Sequence, residues 1–572
     1  MNASSPPTTT FDQARIGHGP VPLRQAALVI PVRQGPQGPE VFMMQRHGKA
    51  AFVPGVHVFP GGAVDAADAA AAACCLGLDD ETASARLGLA QGGLAYWVGA
   101  IRECFEEAGL LLARRAPGQW VEPAEVGDVT WHQLRQALHQ GELSVLELCQ
   151  RLHAQLALDH VHYLSHWITP PGQSRRFDTR FFLAEAPDNQ DARHDGQETV
   201  ASCWIRPAAA LDAYRRDAFP LVFATRTTLE MLAAFDSTRS LVHHVAQLRD
   251  IPAIVPRMAR GTRGVQAVGP RDPAYAEIGR IDPDGHGHAF YEIAPGRAVA
   301  LAPGVWRLTA PNPGYMTGPG TNTYLLGNAE GVTVIDPGPA DPDHVAAILA
   351  AAPGPIRQIL VTHTHSDHSP AAALLRQQAD VALLGWAPRH PGQDGSFVPD
   401  REPADGERLS TTVGPLRVLH TPGHAANHLC FLFEPEGMLF TGDHIMQGST
   451  VVISPPDGNM ATYLQSLERL LDLEMAWLAP AHGFLLDQPH QVIRDLIAHR
   501  LRREALVLKA LQQAADGLTE SALLARVYTQ LLPALRPVAL RSLQAHLEKL
   551  RDEGRVVQDQ AVWRCAGGAA HH

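Results

Sequence analysis

Apolar and polar positions along the chain fall into blocks with different periods. AALVIPV (26–32) and EVFMMQR (40–46) are apolar, partly β-branched runs on either side of the turn-rich RQGPQGP, which predicts a pair of strands. Residues 69–95 are rich in Ala, Leu and Gly and lead into a helical stretch running to about 114, and 132–160 is again helix-like. RRFDTRFFLAEA (175–186) alternates as a strand does. Between 256 and 296 the composition turns to Gly, Pro, Arg and Asp, which predicts a linker. From 297 the texture changes to short strand candidates, such as GVTVIDPG and QILVTHTH, with helical periods at 342–352, 370–380 and 460–474. That alternation predicts a layered α/β domain ending near 492.

From 493 on, HRLRREALVLKALQQA, ESALLARVYTQLL and VALRSLQAHLEKLRDEG have the pattern of three amphipathic helices, and RVVQDQAVWRC that of two short strands. Three helices and a small hairpin form a winged-helix pattern. The expected order is therefore a polar, disordered tail (1–22), a first domain (23–255), the linker (256–296), a second α/β domain (297–492) and a winged helix (493–572). No internal repeat is present.

Composition narrows the function classes. Hydrophobic residues make up 45% and charged residues 19% of 572, enough for several cores. With 47 basic against 59 acidic residues the net charge is −12, which argues against a chain coated for non-specific DNA binding. The tail from 494 reverses that balance, with 12 basic and 8 acidic residues, a hint of nucleic-acid contact. Arg500, Arg502 and Arg503 are read as standing at the start of its first helix. Seven scattered cysteines without a CxxC pair argue against a disulfide framework and for a reducing compartment. No apolar run reaches the roughly eighteen residues of a membrane span, and the start has no signal-peptide core, so a cytoplasmic location without a membrane partner is expected.

The chemistry lies in a few strings. LVTHTHSDHS (360–369) places His363 and His365 at i and i+2, followed by Asp367 and His368. No α-helix puts i and i+2 on one face, so these belong to a loop leaving a strand. A lone HxH is usually a solvated loop. Here TPGHAANH (421–428) adds His424, LFTGDHI (439–445) adds Asp443 and LAPAHG (478–483) adds His482, each in a turn after a strand-like run. Open α/β sheets place their sites at strand ends, and imidazole with carboxylate suits zinc.

In order and spacing these strings resemble the metallo-β-lactamase superfamily, with Asp336 of VIDPGP as the early Asp that orients the metal loop. The resemblance implies an αββα sandwich and two Zn²⁺ ions. One is held by His363, His365 and His424, the other by Asp367, His368 and His482, with Asp443 bridging them. Such a pair generates a metal-bound hydroxide able to cleave an ester, thioester or phosphodiester. Asp367 and His428 are the candidates for a catalytic part beyond holding metal, and an incidental loop histidine is the other reading of His428. His444 reads as structural and Cys430, in LCFLF, as packed core. PNPGYMTGPGTNTYLLG (311–327), the segment 442–470 and the winged-helix tail resemble the β-lactamase-like protein 2 family, whose members include a single-strand-preferring endoribonuclease. Single-stranded RNA is thus a second substrate candidate beside a small ester or phosphodiester.

In the first half, GAIRECFEEAGLLL (99–112) sets Glu103, Glu106 and Glu107 at i, i+3 and i+4, one face of a helix. Clustered carboxylates are costly unless solvated or neutralised, and Mg²⁺ or Mn²⁺ is the usual neutraliser. With HVFPGGAVDAAD (57–68) upstream, this is similar to the Nudix box of the long-insert coenzyme A diphosphatase branch, over about 23–250. The resemblance implies an α/β/α sandwich, with Glu103, Glu106 and Glu107 as metal ligands and the last two as catalytic residues. Its substrate would be nucleoside-diphosphate-linked, such as coenzyme A. Two departures stand out: Asp68 replaces the box's first Glu, and residues 69–101 replace a short spacer. Glu198 reads as a strand-end surface residue, with an extra catalytic acid as the alternative. The expected whole is a multidomain α/β metal-dependent hydrolase. Competing readings place the main activity at the Nudix-like site or make the chain a nucleic-acid-binding regulator.

Overall fold

A computed structural model describes residues 21–48, 53–196, 198–378, 381–529 and 531–566, so almost all of the expected N-terminal tail lies outside the described residues. The chain divides into two compact units, Met1–Pro270 with Asp282–Ala289, and Arg271–Ile281 with Phe290–His572. No described helix is long and apolar enough to cross a membrane.

The first unit is built on a mixed sheet. Its strand order is Thr199–Ile205, Gly38–Arg46, Leu23–Gly35, Arg176–Glu185, Val161–Ile168 and Ala253–Ile254. Successive strand residues point to opposite faces, and both faces here are apolar. Val29, Phe42, Met44 and Phe182 pack under the helix Leu94–Ala108. Ile30, Val32, Val41 and Met43 pack on the other side against Leu211, Leu229 and Leu241 from three later helices. This is the expected α/β/α sandwich. Of the helix-like stretch 132–160, helices Asp128–His139 and Val145–Leu152 form, while the strand Val161–Ile168 that follows was not foreseen.

The second unit stacks two sheets. A six-stranded sheet runs from Ala298–Ala302 to Ala382–Leu384, and a five-stranded one from Arg408–Thr411 to Trp477–Pro480. Tyr324, Leu326 and Leu360 from the first meet Val418, Phe431 and Phe440 from the second in one core. The outer faces carry helices Pro342–Ala351 and Ala371–Gln378 on one side and Met460–Leu470 on the other, with Cys430 in the second outer core. The layering is αββα.

The tail folds as three helices, Pro489–Gln512, Glu520–Val527 and Arg536–Asp552, with a three-stranded sheet. Its first helix starts before residue 493, and Ile493 packs into the sandwich's outer core. Arg500 and Arg503 therefore lie in mid-helix, a correction to their expected position. The stretch 256–296 also differs from a bare linker. It carries the hairpin Arg257–Gly261 with Gly264–Val268 and the helix Tyr275–Ile281. Two of its carboxylates are buried with partners: Glu277 pairs with Arg307, and Asp282 accepts from the His286 and His288 amides at 2.8 Å.

Candidate active site

Four strand ends of the second unit converge. Ile356–Leu360 leads to His363, His365, Asp367 and His368, Gly414–His420 to His424, Met438–Gly442 to Asp443 and Trp477–Pro480 to His482. Each strand is held by its ladder, so each turn delivers its side chain to a fixed place. Among the described residues, three groups are close enough to hold a metal ion: His363, His365 and His424; His363, His368 and Asp443; and Asp367, His368 and His482.

Distances within the cluster are short. Nδ1 of His365 lies 2.9 Å from Nε2 of His363 and 3.0 Å from Nε2 of His424. Nε2 of His482 lies 3.4 Å from Oδ2 of Asp367, and Nε2 of His368 is equally far from that oxygen. Asp443 turns one oxygen to each group, Oδ2 at 3.6 Å from His424 and Oδ1 at 3.2 Å from His482. That is a bridging position.

The remaining ring nitrogens are fastened from behind. Asp336, in the left-handed region at φ 49°, accepts from the Thr362 amide and hydroxyl, both at 2.7 Å, and faces His368 Nδ1 at 3.0 Å. His363 Nδ1 meets Thr362 Oγ1 at 3.1 Å, His424 Nδ1 the Val452 carbonyl at 2.8 Å and His482 Nδ1 the Gly320 carbonyl at 3.2 Å. Partners of this kind fix tautomer and ring orientation in metal sites. A metal also fits what is left over. His368 Nε2 and Asp443 Oδ1 are buried without a hydrogen-bond partner, and buried polar atoms are costly when unpaired.

The electrostatics agree. Burial, together with the facing rings of His368 and His365, holds His363 well below its ordinary pKa, and burial with His365 pushes His424 down to about 4. Burial opposes charge on His368 and His482 too, but Asp367 and Asp443 outweigh it. They raise His368 well above its usual value and His482 to about 10. Neutral donors on one side and carboxylates drawing positive charge on the other make a place for cations.

His428 does not have the open position that a catalytic part requires. Its ring is fully buried, Nδ1 meets Thr421 Oγ1 at 3.0 Å, and Nε2 accepts from the Asp443 amide at 3.2 Å. It braces Asp443. His444 is likewise fully buried, which fits its structural reading. The open side of the cage is formed by His365 and Asp367, whose side chains are 29% and 24% exposed.

A family model of the metallo-β-lactamase superfamily matches residues 316–482. The atrochrysone carboxyl ACP thioesterase of Passalora fulva is 33% identical over 45% of this chain and 78% of its own length. The β-lactamase-like protein 2 homolog of Drosophila melanogaster is 31% identical over 45% and 94%. The chain belongs to the metallo-β-lactamase superfamily. Its metallo-β-lactamase domain continues into a β-lactamase-associated winged helix domain, matched at 519–563. A NUDT19 Nudix domain model matches 78–223. A solved Nudix hydrolase from Alicyclobacillus acidocaldarius aligns with 39% of this chain and 96% of its own, at 26% identity and a TM-score of 0.33.

In the Nudix domain the three glutamates do not share one metal-sized group. Arg102 Nε reaches Asp68 at 2.9 Å, and its Nη1 pairs with Glu103 at 2.9 Å and Glu106 at 3.3 Å. Asp68 thus works as a buried anchor for Arg102. Glu107 accepts from the Gly61 amide at 2.8 Å, and a Cβ at Gly62 would stand 2.5 Å from Glu103 Oε1, so only glycine allows this approach. A cavity of about 460 Å³ is lined by Glu103, Glu107, Glu198 and Arg46 among others, but not by Glu106. Glu106 meets Arg102 beside Glu103, and Glu198 takes a place on the cavity wall. Burial raises Glu103 to about 7, and burial with the neighbouring Glu103 charge raises Glu107 well above the usual range.

Proposed function

We propose that the metallo-β-lactamase domain is a two-zinc hydrolase of carboxylic (thio)esters. The carrying observation is the shared cage, in which Asp443 faces both ligand groups with one oxygen each. In this reading His363, His365 and His424 hold one ion, Asp367, His368 and His482 the other, and Asp443 spans them. When bound, the pair supplies hydroxide at neutral pH and polarises the attacked oxygen. The chain keeps the donors rigid from behind and leaves the side toward His365 and Asp367 open for substrate. The ester class is favoured because the similar Passalora protein is named a thioesterase. Phosphodiester cleavage, including that of single-stranded RNA, is supported less. Two of the three arginines expected to meet phosphate are engaged internally, Arg500 with the Val451 carbonyl and Arg503 with the Val527 carbonyl. Seven free thiols are consistent with a reducing, cytoplasmic setting.

The test is metal analysis of the purified chain alongside a thioester probe, bis-p-nitrophenyl phosphate and a short RNA. Close to two zinc ions per chain and thioester turnover are expected, with both lost in His363→Ala and Asp443→Ala. Undiminished turnover in both variants refutes the assignment. For the Nudix domain we propose a separate Mg²⁺- or Mn²⁺-dependent diphosphatase acting on a nucleoside-diphosphate-linked substrate such as coenzyme A. The carboxylates of Glu103, Glu107 and Glu198 lining one cavity, with Arg46 and Arg175 also lining it, support that reading.

A further inference from the structure

Four of the five ligand histidines have Nδ1 fastened, by a neighbouring hydroxyl, carboxylate or main-chain carbonyl. His365 is different. Its Nδ1 faces His363 and His424, so its Nε2 points out of the cage, and there it meets Oδ2 of Asp457 at 3.3 Å. Asp457 lies farther along the loop that leaves Asp443, just before the helix Met460–Leu470. It is held tightly: its Oδ1 accepts from the Ala426 amide at 2.8 Å, and its Oδ2 from Nε2 of Gln393 at 2.8 Å. Gln393 is itself buried and fixed, its Oε1 accepting from the Arg389 amide at 2.6 Å.

The same segment touches a second ligand. Five residues before Asp457, the Val452 carbonyl accepts from His424 Nδ1 at 2.8 Å, and just beyond it the Asn459 amide donates to the Gly423 carbonyl at 2.8 Å. The segment is in turn fastened from the winged helix. Arg500, 3% exposed in the middle of Pro489–Gln512, donates to the Val451 carbonyl and lies over the Tyr463 ring. Burying a charged side chain this deeply is costly unless hydrogen bonds offset it; Nε of Arg500 has no partner, and the Val451 carbonyl adjoining Val452 accepts from its Nη2.

We propose that residues 451–457 are a positioning element for the ion held by His363, His365 and His424, with Asp457 as its key side chain and Arg500 as its anchor in the winged helix. Asp457 keeps Nε2 of His365 protonated and the ring turned so that the Nδ1 lone pair enters the cage. The Val452 carbonyl does the same for His424 through its Nδ1. Outer partners of this sort typically change metal affinity about 10–100-fold when removed. The winged helix becomes part of the metal site without contributing a ligand.

This inference rests on the two-metal reading, and one titration separates the two. The full-length protein, stripped of metal, is titrated with Co²⁺ and followed by its d–d absorption, and with Zn²⁺ against a chromophoric chelator. Wild type should take up two equivalents. Asp457→Ala should bind one equivalent about 10–100-fold more weakly and the other as wild type does, with an altered cobalt spectrum. Asp457→Asn retains an acceptor and should recover most of the affinity and the spectrum. Arg500→Met should weaken the same equivalent by a smaller factor. Circular dichroism and the Zn²⁺ affinity of the second equivalent report folding in each case. Two wild-type equivalents with unchanged affinities in both Asp457 variants overturn the inference alone. No uptake by wild type overturns the two-metal reading and the inference with it.

Discussion

Glu277 offers a quantitative test of how the His482 side of the cage is held. Its carboxylate is 2% exposed and pairs in a fork with Arg307, itself 3% exposed, at 2.5 and 2.9 Å. The same carboxylate accepts from the Leu485 amide at 2.9 Å, three residues beyond His482, and Arg307 reaches the Gly483 carbonyl at 3.5 Å. Glu277→Leu leaves a buried guanidinium without its counter-ion, which costs about 3–5 kcal/mol in comparable pairs. Replacing both partners by apolar groups, Glu277→Leu with Arg307→Met, removes that stranded charge. The double variant should therefore recover most of the loss and retain only the cost of the orphaned Leu485 N–H, about 1–3 kcal/mol. Calorimetric unfolding of the full chain, with chelator present so that metal binding does not add to stability, reads this directly. At roughly 2–4 °C per kcal/mol for a domain of this size, the single variant should lower the transition of the second unit by about 6–20 °C. A single variant within about 1 kcal/mol of wild type, or a double variant no more stable than the single, refutes the reasoning.

Two further expectations concern strained chemistry. Glu103 has a folded pKa of about 7 against 4.5 ordinarily, chiefly through burial, so its contribution to stability is fully present below about pH 4.5 and lost as pH rises through about 7. Glu103→Gln should accordingly raise the melting temperature of the metal-free first unit at pH 8, by up to about 3 kcal/mol equivalent, and have no effect near pH 4.5; destabilisation at pH 8 contradicts this. Gly442 holds φ 49°, and a Cβ there would lie 2.6 Å from Thr362 Oγ1 and 2.7 Å from His428 Nε2. Gly442→Ala should cost more than about 1 kcal/mol and displace Asp443, so unaltered stability and zinc content in this variant count against the packing described.

The residues of the cage were legible because each is a metal-ligand type in a tight turn at a strand end, and a strand end is itself visible as an apolar run broken by Gly or Pro. What depends on contacts across the fold was not. The strand Val161–Ile168 sits inside the sheet with most of its residues buried, so VHYLSHWI shows no alternation to read. Helical spacing put Glu103, Glu106 and Glu107 on one face, but a face is wide, and Arg102 pairs with Glu103 and Glu106 while Glu107 turns to the Gly61 amide. Glu198 reaches the same cavity from beyond Arg176–Glu185, a meeting that no local pattern encodes.

The sign of a charge in a sequence likewise says nothing about whether water will surround it. The tail reads as a cationic module, yet Arg500 is buried against Val451, and Lys549 and Arg555 pair with buried Glu504. Part of its positive charge is therefore engaged within the fold, and the case for nucleic-acid contact rests on exposed side chains such as Arg502, Arg526, Arg536 and Arg541. This changes what a truncation means. Deleting 494–572 would remove Arg500 from Val451 together with most of the helix that seats Ile493 in the sandwich's outer core. Lost activity after that cut would report a loosened metal site as readily as lost RNA binding. Arg502→Ala leaves the brace intact, so the salt dependence of RNA binding in that variant, with zinc content unchanged, isolates the nucleic-acid question from the metal one.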